Sequence, residues 1–300
     1  MLDVCLLGTS GMMPLPERFL TALMIRHNGH SFIIDCGEST QTSIRMQGWS
    51  FKDIDVLMIT HFHADHISGL PGLLLAMTNS DKTEPLIIIG PKGLRQVVNS
   101  LRVIAPEISF PIKFIELDSD STFEFFGLRI NAFKVKHGMP CYGYSFELDR
   151  LGKFNPTAAK ELEIPVKYWN KLQHGETIKN WTPDMVMSAP RKGIKVTYCT
   201  DTRPTDSIIQ YAKDSDLFIC EGMYGETDNE TKMKARAKRH MLMTEAVELA
   251  LIANVKELWL THFSPSMIKP SRYEKMLKKM FSATHVGEDR MTVTLTYDEE

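Results

Sequence analysis

The chain has 300 residues, 43% of them hydrophobic and 24% charged, with a formal net charge of −2. That length suits one large domain or two small ones, and the composition is that of a globular protein rather than a fibrous or disordered one. No apolar run reaches the roughly 18 residues a membrane span needs, and the overall charge does not announce a nucleic-acid binder, so positive charge for such a partner must be local.

In chain order, Met1–Gly8 lacks a basic n-region and a small-residue cleavage site and reads as a first β-strand. Alternating and short continuous apolar runs predict strands at 2–8, 21–27, 31–35, 54–60, 86–89, 112–117, 122–126, 128–136 and 142–148, then 194–199, 216–221, 256–261 and 291–297. Helical spacing predicts helices at 39–47, 67–79, 91–104, 205–213, 229–239, 243–254 and 270–282. In the helix at 243–254, Ala246, Leu249, Ala250 and Ala253 share a face, and Thr244 is the expected cap. Many strands with short helices in mixed order predict an α/β fold of two packed sheets with helices outside. The five cysteines, Cys5, Cys36, Cys141, Cys199 and Cys220, are odd in number and form no Cys-x-x-Cys pair; reduced core thiols in a cytoplasmic protein are expected.

Residues 149–192 break this pattern. Strand character fades there and Pro, Gly, Lys and Trp accumulate; Arg150 to Lys195 holds nine Lys or Arg against four Asp or Glu. A structureless stretch of that length inside one domain spanning 1–300 is expected to serve as an arm or lid.

Directly after the strand expected at 54–60 stands His61-Phe62-His63-Ala64-Asp65-His66. Imidazoles and a carboxylate crowded this closely repel or stay unpaired without a cation. The spacing suits two divalent ions sharing a bridging water, with His61 and His63 turned to one ion and Asp65 and His66 to the other. The further ligands such a centre needs should close other strands, as His137, Asp201 and His262 do. We expect His61, His63 and His137 on one ion, Asp65, His66 and His262 on the second, and Asp201 bridging both through its two oxygens. The donor set suits Zn²⁺, with Mn²⁺ or Fe²⁺ as alternatives. The shared water, deprotonated near neutral pH, is the expected nucleophile, and Asp65 is placed to accept or orient its proton.

His240 follows a run with five cations and no acid, Lys232 to Arg239. The residues alone leave two readings open: a solvated helix face, or a phosphate-binding run ending in a proton donor, with Glu221 orienting the imidazole. Asp35 is not spaced as a ligand and is expected to orient a ligand loop through hydrogen bonds. His27, His30, His174 and His285 stand in polar surroundings and read as surface residues.

The His-x-His-x-Asp-His of residues 61–66, with His137, Asp201 and His262 behind it, resembles the ligand pattern of the metallo-β-lactamase superfamily. Within it, Gly8-Thr9-Ser10-Gly11, Asp35-Cys36-Gly37-Glu38, Gly69-Leu70-Pro71-Gly72, Gly90-Pro91-Lys92-Gly93 and Thr261-His262-Phe263-Ser264 are similar to ribonuclease Z. That resemblance implies a four-layer αββα sandwich and a zinc-dependent endoribonuclease carrying two Zn²⁺ per chain. Its substrate would be precursor tRNA, cut to remove the 3′ trailer and leave a tRNA 3′-hydroxyl. It further implies Asp65 as proton acceptor, His240 as proton donor to the leaving oxygen and Glu221 as its orienting partner. It identifies residues 149–192 as a tRNA-binding arm and the protein as a cytoplasmic homodimer. Lys153, Lys167 and Lys171 on the arm and Lys234, Arg236 and Lys238 on the basic run are the expected phosphate contacts. The sequence departs from the family at Met241, at the arm tip Lys167-Tyr168-Trp169-Asn170 and at Pro265-Ser266-Met267. The alternative is another hydrolase of the same fold, a phosphodiesterase or arylsulfatase-like enzyme acting on a small substrate.

Overall fold

The structure is a computed structural model that describes residues 1–298. Its strands are β1 (Leu2–Gly8), β2 (Ala22–His27), β3 (His30–Ile34), β4 (Ile54–Met58), β5 (Leu86–Pro91), β6 (Ile112–Leu117) and β7 (Ser121–Phe125). They continue with β8 (Leu128–Lys134), β9 (Tyr142–Arg150), β10 (Arg191–Cys199), β11 (Leu217–Glu221), β12 (Leu258–Thr261), β13 (Thr284–Val286) and β14 (Thr292–Leu295). The helices are α1 (Thr40–Gln47), α2 (Ala64–Ile67), α3 (Leu70–Thr78), α4 (Leu94–Leu101), α5 (Pro156–Glu161), α6 (Trp169–Gln173), α7 (Asp206–Ala212), α8 (Asn229–Lys238), α9 (Met243–Ile252) and α10 (Glu274–Met280).

Two seven-stranded sheets form, in the orders β14-β1-β2-β3-β4-β5-β6 and β13-β12-β11-β10-β9-β8-β7. Each is antiparallel in one part and parallel in the other: β3 through β6 run parallel, as do β10 through β13. Three apolar cores stack through the molecule. The central one joins the inner faces of both sheets, with Phe32, Val56, Met58, Tyr144, Phe146, Tyr198 and Trp259. One outer core packs the first sheet on α1, α3 and α4; the other packs the second sheet on α7, α9 and α10. This is the four-layer αββα sandwich. Its central strands are covered on both faces and so read as continuous apolar runs, whereas edge strand β7 alternates between half-buried and exposed residues.

Several expected boundaries move. The helix expected at 67–79 begins later, as α3 at Leu70, after the short α2 ends at Ile67; between them Gly69 lies so close to the Gly37 carbonyl that a Cβ would meet it at 2.1 Å. The stretch 270–282 opens with a 3₁₀ turn before α10. Leu242 caps α9, its N–H donating to Glu245 Oε2 at 2.9 Å, and Thr244 lies inside the helix. β13 has no counterpart in the sequence reading; three residues are too few for a periodic signal, and parallel pairing with β12 creates the strand. His27 is buried and bonded to the Met1 carbonyl, not a surface residue, because β2 draws it under the first strand's start.

The stretch 149–192 is not structureless. β9 and β10 pair out to Arg150 and Arg191. Beyond them Lys153 and Ser188 close a neck through reciprocal hydrogen bonds of 2.8 Å. Past the neck α5 and α6 enclose a small core of Ala159, Ile164, Leu172 and Val186, flanked by Phe154, Trp169 and Trp181. All five cysteines are free and buried.

Candidate metal centre

Polar residues at the C-terminal ends of parallel strands meet where the two sheets face each other, the place where open α/β sheets bind ligands. β3 delivers Asp35, β4 delivers Thr60 and His61, β10 delivers Asp201, β11 ends on Glu221 and β12 leads to His262. The β8–β9 turn adds His137. Asp35, Asp201 and His262 all take positive φ, 61°, 51° and 56°. Non-glycine residues adopt that backbone at a cost, and it turns each side chain off its strand into the cavity.

Ligand-capable atoms of His61, His63, His137 and Asp201 lie within 4.8 Å of one another, as do those of Asp65, His66 and His262, and those of Asp201, His240 and His262. His61 Nε2 is 2.9 Å from His63 Nδ1, which is 3.3 Å from His137 Nε2; His66 Nε2 is 3.2 Å from His262 Nε2. Imidazole lone pairs at such separations repel unless a proton or a cation sits between them. Asp201 divides its oxygens between the groups. Oδ2 is 3.6 Å from both His61 Nε2 and His137 Nε2, while Oδ1 is 3.2 Å from His66 Nε2 and 2.9 Å from His262 Nε2. Oδ1 is buried without a well-formed hydrogen bond. A buried carboxylate that turns one oxygen to each of two imidazole clusters fits a divalent-metal site, and the N/O donor set fits zinc-like ions.

Neighbouring groups hold these residues in turn. Asp35 Oδ2 pairs with His66 Nδ1 at 2.7 Å, and Asp35 also accepts from Thr60 N and Oγ1. Thr60 Oγ1 is 3.0 Å from His61 Nδ1. Met12 N–H donates to Asp65 Oδ2 at 2.6 Å, and Gly11 lies against the His262 ring, where a Cβ would come within 2.6 Å of it. Arg239 Nη1 donates to the His137 carbonyl at 2.5 Å. Thr60, Met12 and Arg239 were missed in the sequence. The first is the residue just before His61, a position that a search for hydroxyls at strand ends would have found; the other two carry no local signal.

Burial drives the His61 and His137 imidazoles below their ordinary range. Burial would also depress His66 and His262, but the carboxylates of Asp201, Asp35 and Asp65 override it; His66 rises well above 6.5 and His262 to about 10. Burial opposes ionisation of Asp65, yet the neighbouring His66 and His262 hold its carboxyl below the usual range. The negative potential that binds these protons also attracts a cation.

The cluster opens into a cleft of about 810 Å³ lined by Met12, Asp65, Tyr224, Lys234, Lys238 and His240, among others. His240 Nδ1 is 3.0 Å from Glu221 Oε2, and Glu221 Oε1 accepts from Thr202 N–H at 2.5 Å, so the imidazole is fixed from behind and leaves Nε2 for the cleft. Burial lowers the His240 imidazole, but Glu221 more than offsets it and the net shift is upward. Lys234 and Lys238, four residues apart on α8, line the cleft; Arg236 is exposed on the same helix but off that wall. Lys153, Lys167 and Lys171 stand exposed on the arm, away from the cleft wall. Lys167 lies 5.0 Å over the Tyr168 ring and Lys171 pairs with Glu176 at 3.8 Å. Met241 is fully buried in the outer core beneath the second sheet, while Pro265 and Ser266 line the cleft.

A ribonuclease Z from Lachnospira eligens is 57% identical across the full length of both chains, and one from Agathobacter rectalis is 55% identical, again over the full length of both. The chain belongs to the ribonuclease Z family. Its members are metal-dependent hydrolases of the endoribonuclease class, and this protein is one of them. A family model described as Anti-Pycsar protein Apyc1 matches residues 2–156, the part that carries His61 to His66 and His137 but not Asp201, Glu221, His240 or His262. The fold is also that of the crystal structure of the short form of human tRNase Z (TM-score 0.70, 24% identity, 98% of this chain and 100% of that one). Among the described residues no helix is long and apolar enough to cross a membrane.

Proposed function

We propose that this protein removes the 3′ trailer from precursor tRNA, leaving a 3′-hydroxyl on the tRNA, with two Zn²⁺ per chain or Mn²⁺ or Fe²⁺ in their place. The observation that carries the reading is the position of His240, held at Nδ1 by Glu221 and facing the same cleft as the seven-ligand cluster. His61, His63 and His137 would hold one ion, Asp65, His66 and His262 the other, with Asp201 shared. When bound, the ions supply an activated water and neutralise charge on the scissile phosphate.

The chain's own groups do the remaining work. Asp65, oriented by the Met12 N–H, accepts a proton from the attacking water. His240 Nε2 donates a proton to the tRNA O3′ as the P–O3′ bond breaks, so the tRNA departs with a hydroxyl and the trailer keeps the phosphate. Lys234 and Lys238 on the cleft wall, with Arg236 behind them, contact backbone phosphates near the cut. The arm carries Lys153, Lys167 and Lys171 and would grip the tRNA body, reaching it across a homodimer in which one subunit's arm serves the partner's site. The test is incubation of the purified protein with a 3′-extended precursor tRNA, with and without a chelator. A cut after the discriminator base that the chelator abolishes is expected. Cleavage elsewhere, or turnover of a small phosphodiester alone, rejects the substrate.

A further inference from the structure

The three residues after β10 each reach a different part of the site. Asp201 faces both imidazole groups. Thr202 N–H holds Glu221, and Thr202 Oγ1 accepts from the Lys136 N–H beside His137. Arg203 N–H donates to the Lys136 carbonyl at 3.1 Å, while its guanidinium turns the other way. Arg203 Nη1 donates to the His240 carbonyl at 2.5 Å and to Glu245 Oε2 at 2.9 Å, and Nη2 pairs with Glu245 Oε1. Glu245 Oε2 also accepts the Leu242 N–H at 2.9 Å. The His240 carbonyl and the Leu242 N–H are thus fixed by the two ends of one fork-to-fork ion pair, which is 15% and 22% exposed at its two side chains.

We propose that Arg203 is the positioning residue for the leaving-group proton. His240 leaves α8 through Arg239, whose φ is 60°, so the helix does not continue into it and its orientation must come from contacts. Glu221 tethers the ring at Nδ1, the rings of His137 and His262 lie beside it at 5.4 and 5.7 Å, and the His240 N–H reaches back to the Ala235 carbonyl at 2.9 Å. Arg203 holds the other side of that backbone, the His240 carbonyl, and so fixes the peptide plane from which the ring leaves toward the next residues. It ties that backbone to the loop that carries Asp201, so the donor nitrogen and the shared ligand move as one body. A lysine here can reach one partner but cannot bridge a carboxylate in a fork and a carbonyl at once.

The inference rests on His240 as proton donor, and the test separates the two. Holoenzyme variants H240A, R203K and E245Q are assayed on a 3′-extended precursor tRNA and on bis(p-nitrophenyl) phosphate, with metal per chain measured for each. The RNA loses an alkoxide that needs a proton; the ester loses p-nitrophenolate, which does not. The quantity read is the ratio of kcat/KM on RNA to that on the ester. H240A and R203K are each expected to lower that ratio by about 10–100-fold with metal content retained, and E245Q to match R203K. The double variant H240A/R203K should be no worse than H240A alone, because Arg203 acts through His240. If H240A lowers the ratio while R203K and E245Q leave it unchanged, slow both substrates alike or lose metal, Arg203 has no positioning role and the donor reading stands. If H240A itself leaves the ratio unchanged, the donor reading fails and this inference falls with it. Should R203K fail to fold, E245Q decides alone, since it keeps the helix cap and breaks only the charged pair.

Discussion

Asp35 takes no place in the metal cluster, yet His66 depends on it for ring orientation: the carboxylate meets Nδ1 at 2.7 Å while Nε2 turns to the cluster. Asp35→Ala should weaken metal binding by about 10–100-fold, measured by competition with a chromogenic chelator; an unchanged affinity would show that β4 and the turn hold His66 unaided. The protons of the cluster give a second test. His262 and His66 bind protons more tightly in the folded, chelated chain than when unfolded, so their contribution to stability is complete below the ordinary imidazole value of 6.5 and fades as pH rises toward about 10. The melting temperature of chelated protein should fall across that interval, and the gain on adding Zn²⁺ should widen. A flat profile in differential scanning calorimetry would contradict this sign. At this scale the side chains that gather into the cluster were legible, because four ligand-capable residues in six positions after an apolar strand have few other uses. Their supports, the Met12 N–H and the Arg239 guanidinium, were not, because a backbone N–H or a distant arginine carries no mark of its target.

The basic helix and the arm show what element patterns reveal. Lys232 to Arg239 reads as one cationic run, but helical geometry puts Lys234 and Lys238 on the cleft wall and Arg236 off it. In the arm, loss of strand spacing was visible, whereas its helices were not. α5 has six residues and α6 five, too short for a 3.6-residue period, and both are held by a local core around Leu172. Leu172→Ala should remove about 2–5 kcal/mol from that core. Limited proteolysis should then cut between α5 and α6 while the sandwich stays intact. If the whole protein unfolds instead, the arm is not an independent unit. Excising residues 154–187 at the Lys153–Ser188 neck should lower cleavage of precursor tRNA far more than hydrolysis of bis(p-nitrophenyl) phosphate. Parallel losses would favour the small-substrate alternative.

Across the whole molecule, a chain of net charge −2 must concentrate its cations to meet an RNA. Replacing Lys234, Arg236 and Lys238 with Gln should reduce the slope of log affinity against log salt for precursor tRNA by about two. An unaltered slope would return the helix to an ordinary solvated face. The sandwich itself sets the steepest requirement. Four of its seven candidate ligands, His61 to His66, arrive on the one turn after β4 of the first sheet, and His137, Asp201 and His262 arrive on three separate turns of the second, so the site exists only where the two inner faces pack.

With the four-layer order supplied by the family resemblance, the sequence by itself determined an α/β fold of two packed sheets, the run of strand ends and the kinds of side chain that close them. These are local properties, set by side-chain periodicity over a few residues and by which groups can share a cation. Only the tertiary structure decided which Asp201 oxygen faces which histidine group, that Arg203 joins Glu221 in holding His240, and that the arm has a core of its own. Those outcomes are contacts between residues tens to hundreds of positions apart, and their energies exist only once the sheets have closed on each other.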